Sequence, residues 1–87
     1  MNYTVTWLAS AEQELAALWV DAVNRGAITR AAHQIDELLG KNPEQAGESR
    51  FESFRILLAK PLGVTFEVSK PDRLVRVHHV WHYRTRS

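Results

Sequence analysis

From Ala11 to Leu39 the apolar residues recur at helical spacing, and on either side of that stretch they recur every second residue. A chain that changes period in this way must lay helices on a sheet, because each amphipathic element needs a second layer to cover its apolar side. "NYTVTWL" alternates Tyr3, Val5 and Trp7 with Thr4 and Thr6, which predicts a strand. Ser10 then stands as an N-cap, with Gln13 three residues on as in a capping box. A first apolar stripe follows at Ala11, Leu15, Leu18, Trp19, Ala22 and Val23, and Leu15, Leu18 and Trp19 are expected in the core. "NRG" at 24–26 interrupts it, and a second stripe runs through Ile28, Ala31, Ala32, Ile35, Leu38 and Leu39. Gly40 is the expected C-cap, with Pro43 as the stop. So short a joint predicts an antiparallel helical hairpin.

"NPEQAGES" reads as a polar loop, after which "SFRILLA", "GVTFEVS" and "LVRVHHVWHY" read as strands. "KPL" and "KPDR" separate them, and Pro71 sits at the favoured second position of a turn. The expected architecture is α+β in the order β-α-α-β-β-β. A helical hairpin packs on one face of a mainly antiparallel four-stranded sheet, and residues 1–87 form a single domain.

Parity divides the strands. Phe54, Ile56 and Leu58 oppose Arg55 and Leu57, while Val64, Phe66 and Val68 oppose Thr65 and Glu67. Val75, Val77, His79 and Trp81 oppose Arg76, His78, Val80 and His82. On this reading Arg55, Thr65, Glu67, Arg76, His78 and His82 gather on one concave surface, with Leu57 and Val80 as its apolar floor.

Composition narrows the partners. The chain has no cysteine, hence neither a disulfide nor a thiolate metal site, which suits a reducing cytosol. No apolar run approaches the ~20 residues of a membrane span. The opening residues lack the basic start and apolar middle of a secretory signal, so a complete cytoplasmic domain without a membrane partner is expected. Charge is uneven: residues 1–48 hold three bases and seven acids, residues 49–87 eight bases and three acids. That points the C-terminal half towards a polyanion or an acidic partner, although uneven charge also occurs on small domains without such a role.

"HHVWH" places His78 and His82 four apart, a metal-ligand spacing on a helix. The flanking valines and aromatics favour a strand, where four residues separate Cα atoms by roughly 13 Å. One metal with bonds of about 2 Å does not bridge that, and no metal or cofactor is expected. An acid–base reading stands beside that of a plain solvated face. Histidine can exchange protons near neutrality, Glu67 or a loop acid can serve as base, and Arg55, Arg76 or Arg84 can hold a phosphate. Those are the parts for attack of an RNA 2′-hydroxyl on its own phosphate.

The order of elements, with "YTVTWLASAEQEL" opening and "FRI", "GVTFEV" and "LVRVHHVWHYR" closing, resembles the RelE/ParE superfamily of toxins over essentially the whole chain. The resemblance implies the toxin of a type II toxin–antitoxin pair. One branch cleaves mRNA on the translating ribosome, the other inhibits DNA gyrase, and both are silenced by a cognate antitoxin. Carried over residue by residue, the C-terminal histidine of the ribonuclease branch falls on His82, for proton transfer, and a neighbouring tyrosine on Tyr83, for orientation or acid catalysis. Arg55 falls on a phosphate-contacting position and Glu48 on a loop acid, with Glu44 next; Arg84 joins the catalytic candidates as a cation that can hold the phosphate. Arg76, His78 and Arg86 join Arg55 and Arg84 as candidate nucleic-acid contacts.

One departure bears on the chemistry. Where the family's third strand begins with tyrosine and a phosphate-binding arginine, this chain has Leu62 and Gly63, and Phe66 replaces a second tyrosine. Three functions follow: a ribosome-dependent, metal-free mRNA endonuclease, a gyrase inhibitor acting by binding, or a weakly toxic module that binds its antitoxin. For the antitoxin, Leu57, Leu62, Val80, Ala16 and Val20 are the candidate contacts.

Overall fold

The computed structural model describes residues 2–51 and 53–83. Strand β1 (Thr4–Trp7) leads into helices α1 (Ala9–Asp21) and α2 (Arg25–Lys41). Four strands follow: β2 (Glu48–Phe51), β3 (Phe54–Ala59), β4 (Leu62–Ser69) and β5 (Leu74–His82). They form one five-stranded sheet in the order β1-β5-β4-β3-β2, with β1 parallel to β5 and the other pairings antiparallel. The helical hairpin covers one face, as the periodicity predicts.

Strand β2 lies in the segment expected to be loop. "ESRF" carries no apolar alternation, and the strand exists because its backbone pairs with β3 through Glu48↔Ile56 and Ser49↔Arg55. Gly47 makes the approach possible, since a Cβ there would collide with the Ile56 carbonyl.

The core joins α2 to the sheet. Ile28, Ala31, Ile35 and Leu39 pack with Leu57, Ala59, Leu62, Val64, Phe66, Val75, Val77 and Val80, and α1 adds the buried Ala11. Removing the apolar side chains from water is what holds the two layers together. Leu57, Leu62 and Val80 thus belong to the interior, not to a partner-binding surface. Trp19, expected in the core, is 42% exposed with the Arg25 guanidinium 4.7 Å from its ring centroid.

The helix ends also differ from expectation. Asn24 caps α2, its side chain accepting from Ala27 N–H at 3.0 Å. Helix α1 begins one residue before Ser10, with Leu8 at the cap position and no side-chain cap bond. The Ser10 hydroxyl donates instead to the His78 carbonyl at 3.2 Å. Gly40 lies inside α2, where its carbonyl accepts from Tyr3 N–H at 2.7 Å and ties the helix to the start of β1.

That Ser10 bond belongs to a larger arrangement. Strand β1 ends at Trp7, opposite Val77, so the second half of β5 has no neighbouring strand on that side. Helix α1 takes over there. Leu8 N–H donates to Val77 O at 3.0 Å, Ser10 Oγ to His78 O, and Val80 N–H donates to Glu14 Oε1 at 3.1 Å. The Leu8 backbone and the Ser10 and Glu14 side chains thereby satisfy an edge that would otherwise invite another chain to pair.

Candidate functional site

Register, rather than parity, decides which side chains share the uncovered face. Val64 and Phe66 are buried under the helices, and they pair with Leu57 and Arg55. Phe54, Ile56 and Leu58 therefore lie on the open face, while Arg55, Leu57 and Ala59 lie on the helix face. The expected parity of β3 is reversed. "FRILLA" is apolar at both parities, so alternation alone cannot choose a side; the turn at 60–61, which sets Ala59 against Leu62, does.

Strand β5 contains a bulge. Thr65 pairs with His79 but Phe66 with Val77, so His78 is an additional residue in the ladder. Val75, Val77 and Val80 all point into the core, at spacings of two and then three. His78 and His79 consequently emerge on the same open face, where simple alternation separates them. Beyond the bulge the parity is inverted: Trp81 pairs with Gly63 on the open side, and His82 pairs with buried Leu62 on the helix side. His82 there lines a hollow with Leu18, Ala22, Val23 and Pro61 at the end of the helical hairpin.

The open face brings together a different set. Glu67 Oε1 lies 3.1 Å from His78 Nε2 and 3.9 Å from an Arg76 guanidinium nitrogen. The Phe54 ring meets the His78 ring edge-on, with centroids 5.0 Å apart. On the other side of the bulge, His79 Nδ1 lies 3.5 Å from Glu14 Oε2. Both histidines line a hollow of about 590 Å³ with Arg50, Phe54, Ile56 and Thr65. A carboxylate beside an imidazole fixes the ring's orientation and balances the charge when it binds a proton.

The remaining expected site residues fall around this centre or away from it. Glu48 is exposed on β2, on the open-face side by its pairing with Ile56, and 3.6 Å from Arg50. Arg55 donates to the Gly47 carbonyl and lines a second hollow, about 560 Å³, with Glu44, Ser49, Ser53, Glu67 and Arg76. Its backbone lies on the helix-face register, so it does not join the histidines as expected. Tyr83 is half-buried, its N–H bonded to Pro61 O at 2.6 Å. Arg84 and Arg86 lie outside the described residues. His79, Glu14 and Arg50 were not among the sequence candidates. The two-then-three spacing of Val75, Val77 and Val80 was the signal for His79; Glu14 and Arg50 sit in segments with no such marker.

Gly63 has a packing reason. The Trp81 indole lies over it, so that a Cβ at Gly63 would stand 2.6 Å from the ring. The position where the resemblance sets a phosphate-binding arginine is therefore closed by an aromatic side chain.

On the helix side, Trp7, Leu15, Ala16, Trp19, Val20, Ile28 and Ala32 line a largely apolar groove of about 550 Å³ between α1 and α2. Ala16 and Val20 are thus exposed together, Val20 at 60%, beside the exposed Trp19.

The fold, a helical hairpin on one face of a mixed five-stranded sheet, is shared with solved structures of RelE and ParE systems. The protein superposes on a chain of the RelBE2 toxin–antitoxin complex from Mycobacterium tuberculosis with a TM-score of 0.79, covering 94% of this chain and 92% of that chain at 13% identity. It matches the chromosomal ParDE TA system from P. aeruginosa with a TM-score of 0.70, 94% and 97% coverage and 17% identity. Against the isolated E. coli RelE toxin the TM-score is 0.68, with 98% and 88% coverage and 14% identity. No protein-family sequence model matches the chain, and no curated protein matches it in sequence.

Proposed function

We propose that the protein is the toxin of a type II toxin–antitoxin pair and that it cleaves mRNA on the ribosome through acid–base chemistry on the open sheet face. The observation that carries this reading is the Glu67 carboxylate set between His78 at 3.1 Å and Arg76 at 3.9 Å on a face the helices leave uncovered. Attack of an RNA 2′-hydroxyl on its own phosphate needs a base, an acid and a cation. This face supplies all three without a metal. Arg50 and Arg76 are the phosphate contacts, and Phe54 and Ile56 form an apolar wall for a base.

The antitoxin is the expected protein partner, seated in the groove between α1 and α2 on Ala16 and Val20. The groove and the open face lie on opposite layers, so binding there leaves the sheet chemistry itself untouched and acts by obstructing entry to the ribosome.

One observation favours a second reading. With Trp81 closing the place of the family arginine, a gyrase inhibitor that acts by binding needs nothing the chain lacks. Two reactions run in parallel with the purified protein separate the readings. The ribonuclease reading expects cut mRNA in a translating extract and unchanged supercoiling by gyrase. Intact mRNA with blocked supercoiling would replace it with the second.

A further inference from the structure

We propose that the β5 bulge builds a paired-histidine site in which His78 takes the proton of the RNA 2′-hydroxyl and His79 protonates the 5′-oxygen that leaves. The inference rests on the ribonuclease reading and assigns its acid and base. Each ring has its own carboxylate, from different elements: Glu67 on β4 for His78 and Glu14 on α1 for His79. Glu14 is itself fixed, because its Oε1 accepts the Val80 N–H that β1 is too short to reach. The histidines line one hollow of about 590 Å³ with Arg50 at its side. The charged groups around the pair are Arg50 from β2, Glu67 from β4, Arg76 of β5 and Glu14 from α1.

The division of labour follows from which nitrogen each carboxylate holds. Glu67 faces His78 Nε2; when that nitrogen carries its hydrogen, Nδ1 presents the lone pair of a base. Glu14 faces His79 Nδ1 and supports the charge of the doubly protonated ring, so that Nε2–H can serve as the acid. In the reaction the 2′-oxygen bonds to phosphorus as the P–O5′ bond breaks. The 2′ proton passes to His78, and the His79 proton passes to O5′. The products are a 2′,3′-cyclic phosphate and a 5′-hydroxyl end. Exchange with water returns both rings to their starting states.

The test uses purified full-length toxin and ribosomes programmed with one defined mRNA, comparing wild type with His78→Asn and His79→Asn across pH. The wild type is expected to leave cyclic phosphate and 5′-hydroxyl ends, with a bell-shaped rate profile. Each variant should lose on the order of 100-fold in rate and one limb of the bell, the rising limb for His78→Asn and the falling limb for His79→Asn. Melting curves check that both fold; glutamine replaces asparagine where one does not. Cleavage by the wild type that either variant retains within about threefold, or a profile that keeps both limbs, overturns the pairing while the ribonuclease reading stands. No cleavage by the wild type at any pH removes both.

Discussion

At the scale of single residues, Gly63 and Trp81 are one decision. An arginine at 63 must displace the indole that now lies 2.6 Å from the position of its Cβ. Gly63→Arg alone is therefore expected to destabilise by about 1–3 kcal/mol, the usual cost of forcing atoms into filled space. Trp81→Ala should relieve most of that cost in the double variant. A thermal-melt cycle over the two positions measures the coupling, and additive effects would contradict the contact. The glycine was visible in the sequence as a departure from the family's arginine. Its cause was not, because the residue that fills the space lies eighteen positions later and reaches it only through the β4–β5 register. His82 shows the same limit. Its place in the chain matches the resemblance, but one additional residue upstream turns it to the opposite face.

At the scale of elements, α1 does two jobs that a hydrophobic stripe does not announce. It packs Ala11 into the core, and it closes the open edge of β5 with Ser10 and Glu14. Glu14→Ala leaves the Val80 N–H without its acceptor and is expected to cost about 1–3 kcal/mol, whereas Glu14→Gln keeps a carbonyl oxygen there and should recover most of it. Chemical denaturation distinguishes the two; equal losses would mean that the hydrogen bond is not what matters. The same helix presents Val20 to the groove. Val20→Asp should fold normally, being exposed, yet weaken binding of the proposed antitoxin by about 1–3 kcal/mol in calorimetry. Unchanged affinity would move the antitoxin off this groove. The order of helices and of β3 to β5 was readable because their apolar runs are separated by clear turn signals. Strand β2 was not, because its pairing is made by backbone and a glycine contact rather than by an apolar pattern. The side of β3 was unreadable for the contrary reason: with apolar residues at both parities, only its partner strand tells them apart.

At the scale of the whole molecule, the two layers carry two different surfaces. The helix side offers an apolar groove, and the open sheet face offers two histidine–carboxylate pairs beside Arg50 and Arg76. The core that separates them includes Phe66, its largest fully buried side chain. Phe66→Ala is expected to cost about 3–5 kcal/mol and, in a domain this small, to abolish the proposed toxicity and antitoxin binding together. Surface variants should instead separate the two functions. The charge division between the halves of the chain follows the order of the elements, since the basic half, residues 49–87, supplies nearly all of strands β2 to β5. The most direct test is a brief induction of the protein in bacteria without the proposed antitoxin, followed by sequencing of mRNA 5′ ends, for wild type, Glu67→Gln and His82→Asn. The account predicts new ends within translated codons for wild type and His82→Asn, and their loss for Glu67→Gln. Ends that persist in Glu67→Gln but vanish in His82→Asn would place the chemistry on the other side of the sheet and contradict it.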